Sequence, residues 1–191
     1  MIGSNKNGNL VVISGPSGVG KDSVINRILQ LDSSISLSVS CTTRCLRENE
    51  KDRCDYFFVT REEFEKKIDN SEFLEYAEYC GNYYGTPKQP IEKCLAAGKS
   101  IILKIDVQGA KKIKSNFDRC LRIFILPPSW QDLKERISLR NSESPEDLDS
   151  RLKRAEFEIE QSVNYDYIVV NDVVDYCANK ILSIIYGLEE K

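Results

Sequence analysis

The chain has 191 residues, 41% of them hydrophobic and 30% charged, with a formal net charge of −3 and no histidine. The length suits one α/β domain with insertions, and the acidic balance argues against a general nucleic-acid binder. The missing histidine excludes Ser–His, Cys–His and histidine acid–base mechanisms but leaves phosphoryl transfer open, because that chemistry needs mainly positioning and charge stabilisation.

The start of the chain, residues 1–9, is polar and lacks the apolar core of a signal peptide. No later run approaches the ~18 apolar residues of a membrane span. Seven cysteines without a C-x-x-C pair read as free thiols in a reducing compartment and argue against zinc.

The first predicted strand, 10–14, leads into Gly15-Pro16-Ser17-Gly18-Val19-Gly20-Lys21 and an amphipathic helix at about 20–31. Strand, glycine-rich turn and helix match the phosphate loop, G-x-x-x-x-G-K. Its glycines let the backbone curl so that successive N–H groups face one anion, and the helix adds its positive dipole end. Lys21 adds a full charge for the outer phosphates. A glycine-rich turn without a ligand is the alternative; the flanking strand and helix favour a nucleoside triphosphate.

A second core strand is expected at 35–39, followed by a polar, aromatic, turn-rich insertion over 41–86. Arg44 and Arg47, three apart in Ser40-Cys41-Thr42-Thr43-Arg44-Cys45-Leu46-Arg47, can converge on one phosphate through bidentate bonds, or stand on a solvated loop. Tyr56 and Tyr84 lie in strand-like aromatic runs, where a hydroxyl can bind a phosphate oxygen. Thr60 with Glu63 starts a short helix at 61–69.

Further core strands are predicted at 101–105, 121–126 and 167–170, with helices at about 107–115, 129–140, 145–163 and 174–188. Dense Ile/Val/Leu content suits strands buried on both faces. Ser129 with Asp132 resembles a capping box, and Ser144-Pro145 offers an N-cap with proline in the first turn. Asp106 ends a core strand, where ligands bind in open α/β sheets. Asp106-Val107-Gln108-Gly109 fits the D-x-x-G of GTPase switches, but the chain has no N-K-x-D. Residues 129–160 are charged and helical and carry Arg136, Arg140, Arg151 and Arg154; insertions of this kind act as lids. For Arg154 a solvated helix face with Glu–Arg and Glu–Lys pairs, such as Glu156 near Lys153, is expected.

The ordered motifs GPSGVGK, SVSxTTRxxR, DYFFV, FLEYAEYxGNYYGT, IDVQGA, PPS and VNDV resemble the guanylate kinases from about Leu10 to the C-terminus. TTRxxR together with GNYYGT is far more specific than the phosphate loop alone. The resemblance implies an α/β, three-layer P-loop kinase fold with a parallel central sheet over 1–40, 87–128 and 161–191. It adds a GMP-binding insertion over 41–86 and a helical lid over 129–160. The implied activity is ATP:GMP phosphotransfer with Mg²⁺, in a cytoplasmic monomer or homodimer without nucleic-acid or membrane partners.

By motif match, Gly15, Pro16, Ser17, Gly18, Val19, Gly20, Lys21, Asp22 and Ser23 would hold the ATP phosphates, and Asn171 the adenine. Arg44, Arg47, Tyr56 and Tyr84 would hold the GMP phosphate, with Glu75 and Asp106 at the guanine edge and Ser40 and Thr86 nearby. Lys21, Arg136, Arg140 and Arg151 would serve catalysis. Guanine presents N1–H and an amino group side by side, and one carboxylate can accept both; adenine has no such pair. For Glu75, an exposed place on an edge strand is the alternative. Two other readings are a non-enzymatic guanylate-kinase-like binding module, which normally loses the loop lysine, and a kinase for another nucleoside monophosphate.

Three positions depart from the family's habit. Asp22 replaces a Ser, Thr or Gly, so the usual hydroxyl for Mg²⁺ is missing there and Ser23 supplies one a place later. Lys104 replaces an acid, and Leu46 a frequent proline. Strand periodicity sets Lys104 and Asp106 on one face. An Asp22–Lys104 ion pair within about 4 Å is expected; the alternative is that both point to solvent.

Overall fold

Leu10–Ser14 (β1) is buried at every position, with Val11 and Ile13 in one hydrophobic cluster and Leu10 and Val12 in another. A strand sends alternate side chains to opposite faces, so a run apolar throughout needs a layer on each side. The computed structural model, which describes residues 8–48, 50–79, 81–117, 120–138 and 145–188, has both layers. Ser36–Leu37 (β2), Ile101–Lys104 (β7), Cys120–Leu126 (β8) and Tyr167–Val170 (β9) join β1 in one parallel sheet of order β2-β7-β1-β8-β9.

Lys21–Leu31 (α1) and Val174–Ile185 (α7) pack on the Val11/Ile13 face. Lys88–Ala96 (α3) and Val107–Asn116 (α4) bury Ile91, Ala110 and Ile113 on the Leu10/Val12 face. The result is the predicted three-layer α/β arrangement. β1 lies mid-sheet, so the loop after it opens at the centre of the sheet's C-terminal edge, where α/β folds bind ligands.

A second, four-stranded sheet stands apart: Tyr56–Phe58 (β4), Ser40–Thr42 (β3), Asn82–Pro87 (β6) and Phe73–Tyr79 (β5), in that order. Arg61–Asp69 (α2) covers it, opened by the expected Thr60–Glu63 capping box. Its small core is Phe64 stacked on Phe73 and Tyr83, with ring centroids 4.4 and 5.2 Å away. Trp130–Ser138 (α5) and Pro145–Glu160 (α6), followed by a 3₁₀ turn at Gln161–Asn164, complete the chain between β8 and β9.

All five core strands stand where the sequence predicts them, though β2 is reduced to two residues at the sheet edge. α3 is an addition: Pro90 masks it in the sequence, but sits in the first turn, where an N–H is not needed. α7 stops at Ile185 rather than 188, because Gly187 adopts φ 66° and sends the chain out of the helix. Ser129 does cap α5, accepting from the Asp132 N–H at 3.1 Å. Ser144 lies outside the described residues.

Candidate active site

The phosphate loop runs from β1 into α1. Gly20 enters the helix at φ 92°, and a Cβ there would fall 2.7 Å from the Asn171 amide nitrogen. Glycine is therefore required twice, by the left-handed backbone and by the close approach. Val19 is wholly buried and anchors the loop in the core. Lys21 Nζ curls back to donate to the carbonyls of Gly15 at 2.5 Å and Pro16 at 3.1 Å. Its ammonium is thus folded over the loop, where an anion bound to the loop amides would lie.

Three side chains from other elements converge on the same loop. Asn171, just after β9, donates through Nδ2 to the Val19 carbonyl at 2.7 Å; a carbonyl accepts only from the NH₂ end, which fixes the amide's orientation. Its buried Oδ1 has no hydrogen-bond partner among the described residues. Arg136 of α5 donates to the Val19 carbonyl at 3.3 Å, and Arg151 of α6 to the Ser17 hydroxyl at 3.2 Å. Arg140 lies outside the described residues. Asp22 follows Lys21 on α1, and Lys104 Nζ donates to its Oδ1 at 2.7 Å, so the expected ion pair is present. Ser23 is on the exposed side of α1.

The second group of predicted residues lies on the smaller sheet. Arg44 makes a bidentate pair with Glu50, at 2.7 and 3.0 Å, and its guanidinium stands 5.6 Å from the centre of the Tyr56 ring. Tyr56 meets Tyr84 edge-on at 6.0 Å. Burial pushes the Tyr56 hydroxyl's pKa up, against the pull of Lys104. Arg47 donates to Glu50 through its main-chain N–H, while its side chain stands exposed. Ser40 opens β3, paired in register with Tyr56.

Glu75 does lie on an edge strand, but it is buried at 8% exposure, which removes the exposed alternative. The Thr86 hydroxyl donates to its Oε1 at 2.5 Å. Burial raises the Glu75 pKa, the Thr86 bond opposes this, and the nearby Asp106 charge adds to it. Asp106 caps α4, accepting from the Gly109 N–H at 2.9 Å. Two carboxylates thus stand close to each other, and burial raises the pKa of the first.

Four residues belong to this site that the sequence reading did not assign to it. Glu50 is the carboxylate that seats Arg44. Gly109 is needed because a Cβ there would fall 2.9 Å from Glu75 Oε2; the D-x-x-G spacing noted above was its signal. Arg154 does not stand on a solvated face: it donates to Asp106 at 3.3 Å and to Glu158 at 3.1 Å, while Lys153 pairs with Asp149 rather than Glu156. Glu158 is buried; desolvation raises its pKa, against the attraction of Lys21 and Arg154. The i,i+4 spacing of Arg154 and Glu158 on α6 is local, but Asp106, which comes from another element, is not visible from that stretch of sequence.

The guanylate kinase family model matches residues 7–187. A guanylate kinase from Clostridium perfringens strain SM101 is 49% identical over 184 residues, 96% of this chain and 85% of that one. The guanylate kinase of strain 13 of that species is 48% identical over the same span. The crystal structure of guanylate kinase from Anaplasma phagocytophilum superposes with a TM-score of 0.81 at 37% identity, covering 98% of this chain and 89% of that one.

Proposed function

The chain belongs to the guanylate kinase family, and from that premise we propose how its residues carry the family's reaction. It is an ATP:GMP phosphotransferase, moving the γ-phosphoryl group of ATP to GMP to give ADP and GDP. The observation that carries the residue-level reading is that buried Glu75 lies close enough to Asp106 to feel its charge, while Arg44, Tyr56 and Tyr84 form a second group. In this reading the first group meets the base and the second the phosphate.

The loop amides of residues 15–20 and Lys21 hold the ATP phosphates. Asn171 Oδ1, which has no hydrogen-bond partner among the described residues, is an acceptor that suits the adenine amino group. On the acceptor side, Arg44 exchanges Glu50 for the GMP phosphate, with Tyr56, Tyr84 and the exposed Arg47 completing the contact. Ionised Glu75 accepts from guanine N1–H and the amino group, supported by Asp106, with Ser40 and Thr86 at the rim. The GMP phosphate attacks directly, and no covalent enzyme intermediate forms.

Arg136 and Arg151, with Arg140, act as a lid over the transferring group. Fixed guanidinium groups there stabilise the charge that spreads over its oxygens, and closure keeps water from intercepting it.

Mg²⁺ accompanies ATP in this reading. The ion keeps several waters and binds through one or two carboxylates plus substrate phosphates, and among the described residues no cluster of three metal-ligating side chains stands ready. That fits a metal carried in on ATP. The oxygen donors beside the loop are the Asp22 carboxylate and the Ser23 hydroxyl. When bound, the ion offsets charge on the β- and γ-phosphates.

Among the described residues no helix is long and apolar enough to cross a membrane. A coupled assay of ADP formation with GMP, AMP, CMP, UMP and dTMP tests the reading. GMP should be the strongly preferred acceptor. Equal use of another monophosphate would move Glu75 and Asp106 away from the base, and no turnover with any of them would leave a binding module.

A further inference from the structure

Lys104 is the last residue of β7, paired in register with Ile13 of β1. That register puts its side chain beside the start of the phosphate loop. Its ammonium lies in a narrow place. On the core side it bonds to Asp22, the residue after Lys21, at 2.7 Å; on the insertion side it stands 5.9 Å from the centre of the Tyr56 ring. Arg44 stands 5.6 Å from the same ring. Two cations from different elements therefore flank one tyrosine, and one of them is tethered to the residue that adjoins the loop lysine.

A purely structural pair is a poor account of this arrangement. Asp22 is 69% exposed, and ion pairs with so open a partner add little to stability. Lys104, by contrast, is only 28% exposed, so its charge has given up much of its water. An ammonium has three donors, and Asp22 occupies one. The others are available in the gap between the loop that holds the donor phosphates and the tyrosines that hold the acceptor phosphate.

We infer that Lys104 is a catalytic cation of this enzyme, donating to the acceptor phosphate and to the phosphoryl group in transit, with Asp22 as the counter-ion that holds it in place. In the transfer, the acceptor oxygen forms its bond to the γ-phosphorus as the bond to the bridging oxygen of ADP breaks. The equatorial oxygens carry the charge through that step, and a fixed ammonium beside them lowers its barrier. The inference rests on the assignment of ATP and GMP given above.

The test compares wild type with Lys104→Met, Lys104→Arg and the double variant Asp22→Ser/Lys104→Met. Calorimetric binding of GMP, guanosine and ATP is measured beside steady-state kinetics. Lys104→Met should weaken GMP by about tenfold, ~1.4 kcal/mol, leave guanosine unchanged, and lower kcat while KM for ATP holds. Lys104→Arg should recover most of the loss. The double variant removes both charges and so leaves no unpaired one to unsettle the fold; it should lose GMP affinity as the single variant does.

GMP affinity equal to wild type in the double variant overturns the inference. So does a parallel loss of guanosine and GMP, which would make Lys104 a mere support for the insertion. A wild-type protein that binds no GMP at all would instead overturn the nucleotide assignment itself.

Discussion

Glu75 carries the sharpest chemistry of any single residue. Its carboxyl is pushed above the ordinary glutamate value of 4.5 by burial, with Thr86 opposing and Asp106 adding to the rise. Guanine needs the ionised form, so ligand affinity should fall on acidification through that raised pKa, beginning above pH 4.5. The unliganded fold behaves in the opposite sense. A carboxyl with a raised folded pKa binds its proton more tightly than the unfolded chain, so its contribution to stability declines as pH rises from the ordinary value to the raised one. Titrating guanosine, which has no phosphate to titrate, across this range should show the fall in wild type and a flat profile in Glu75→Gln. That variant should also lose roughly 2–4 kcal/mol of GMP discrimination, a charge-assisted bond plus a mispaired donor. GMP kcat/KM unchanged by the substitution would show that the residue is not at the base.

At the scale of elements, the first turn of α4 does two jobs. Asp106 caps the helix, and three residues later Gly109 leaves the space into which Glu75 projects. Gly109→Ala should keep the helix, because alanine is the better helix former by about 1 kcal/mol. Its methyl would nonetheless sit against Glu75 Oε2 at 2.9 Å and displace it. The expected result is an unchanged or slightly raised melting temperature with GMP binding weakened several-fold and ATP binding intact. Equal losses for both nucleotides would show that α4 serves the fold as a whole and not the base site. The α2-covered sheet has its own small core of Phe64, Phe73 and Cys41, while Leu74 of β5 joins the Leu10/Val12 cluster and ties that sheet to the central one.

Across the molecule, a line of charges joins the two nucleotide sites. Lys21 attracts buried Glu158, Glu158 accepts from Arg154, and Arg154 donates to Asp106, which acts on Glu75. The middle two members ride on α6, and the ends belong to the loop and to the base site. The proposed closing of α5 and α6 over ATP would therefore change the surroundings of the acid expected at guanine. Arg154→Gln should leave each nucleotide's separate affinity within a few-fold of wild type but reduce the gain in GMP affinity that a bound non-hydrolysable ATP analogue produces. Coupling energies of this kind run about 1–3 kcal/mol, within reach of calorimetry. Full coupling in the variant would show that the line of charges carries none of it.

The sequence by itself determined the five core strands, the phosphate loop, the Thr60 cap and the family. Those signals are local: an apolar run, a glycine spacing and a capping box are each set by residues within one turn or strand. It also held the Asp22–Lys104 pair, because two unusual charges at the ends of neighbouring elements call for each other. Only the tertiary structure decided that Glu75 is buried, that Glu50 seats Arg44 and that Arg154 leaves solvent for Asp106. Burial and ion pairing depend on what other elements bring to a residue. Arg154 and Asp106, 48 positions apart, meet at 3.3 Å because α6 packs through Leu152, Ala155 and Ile159 on the core cluster of the central sheet, and no window of sequence contains that approach.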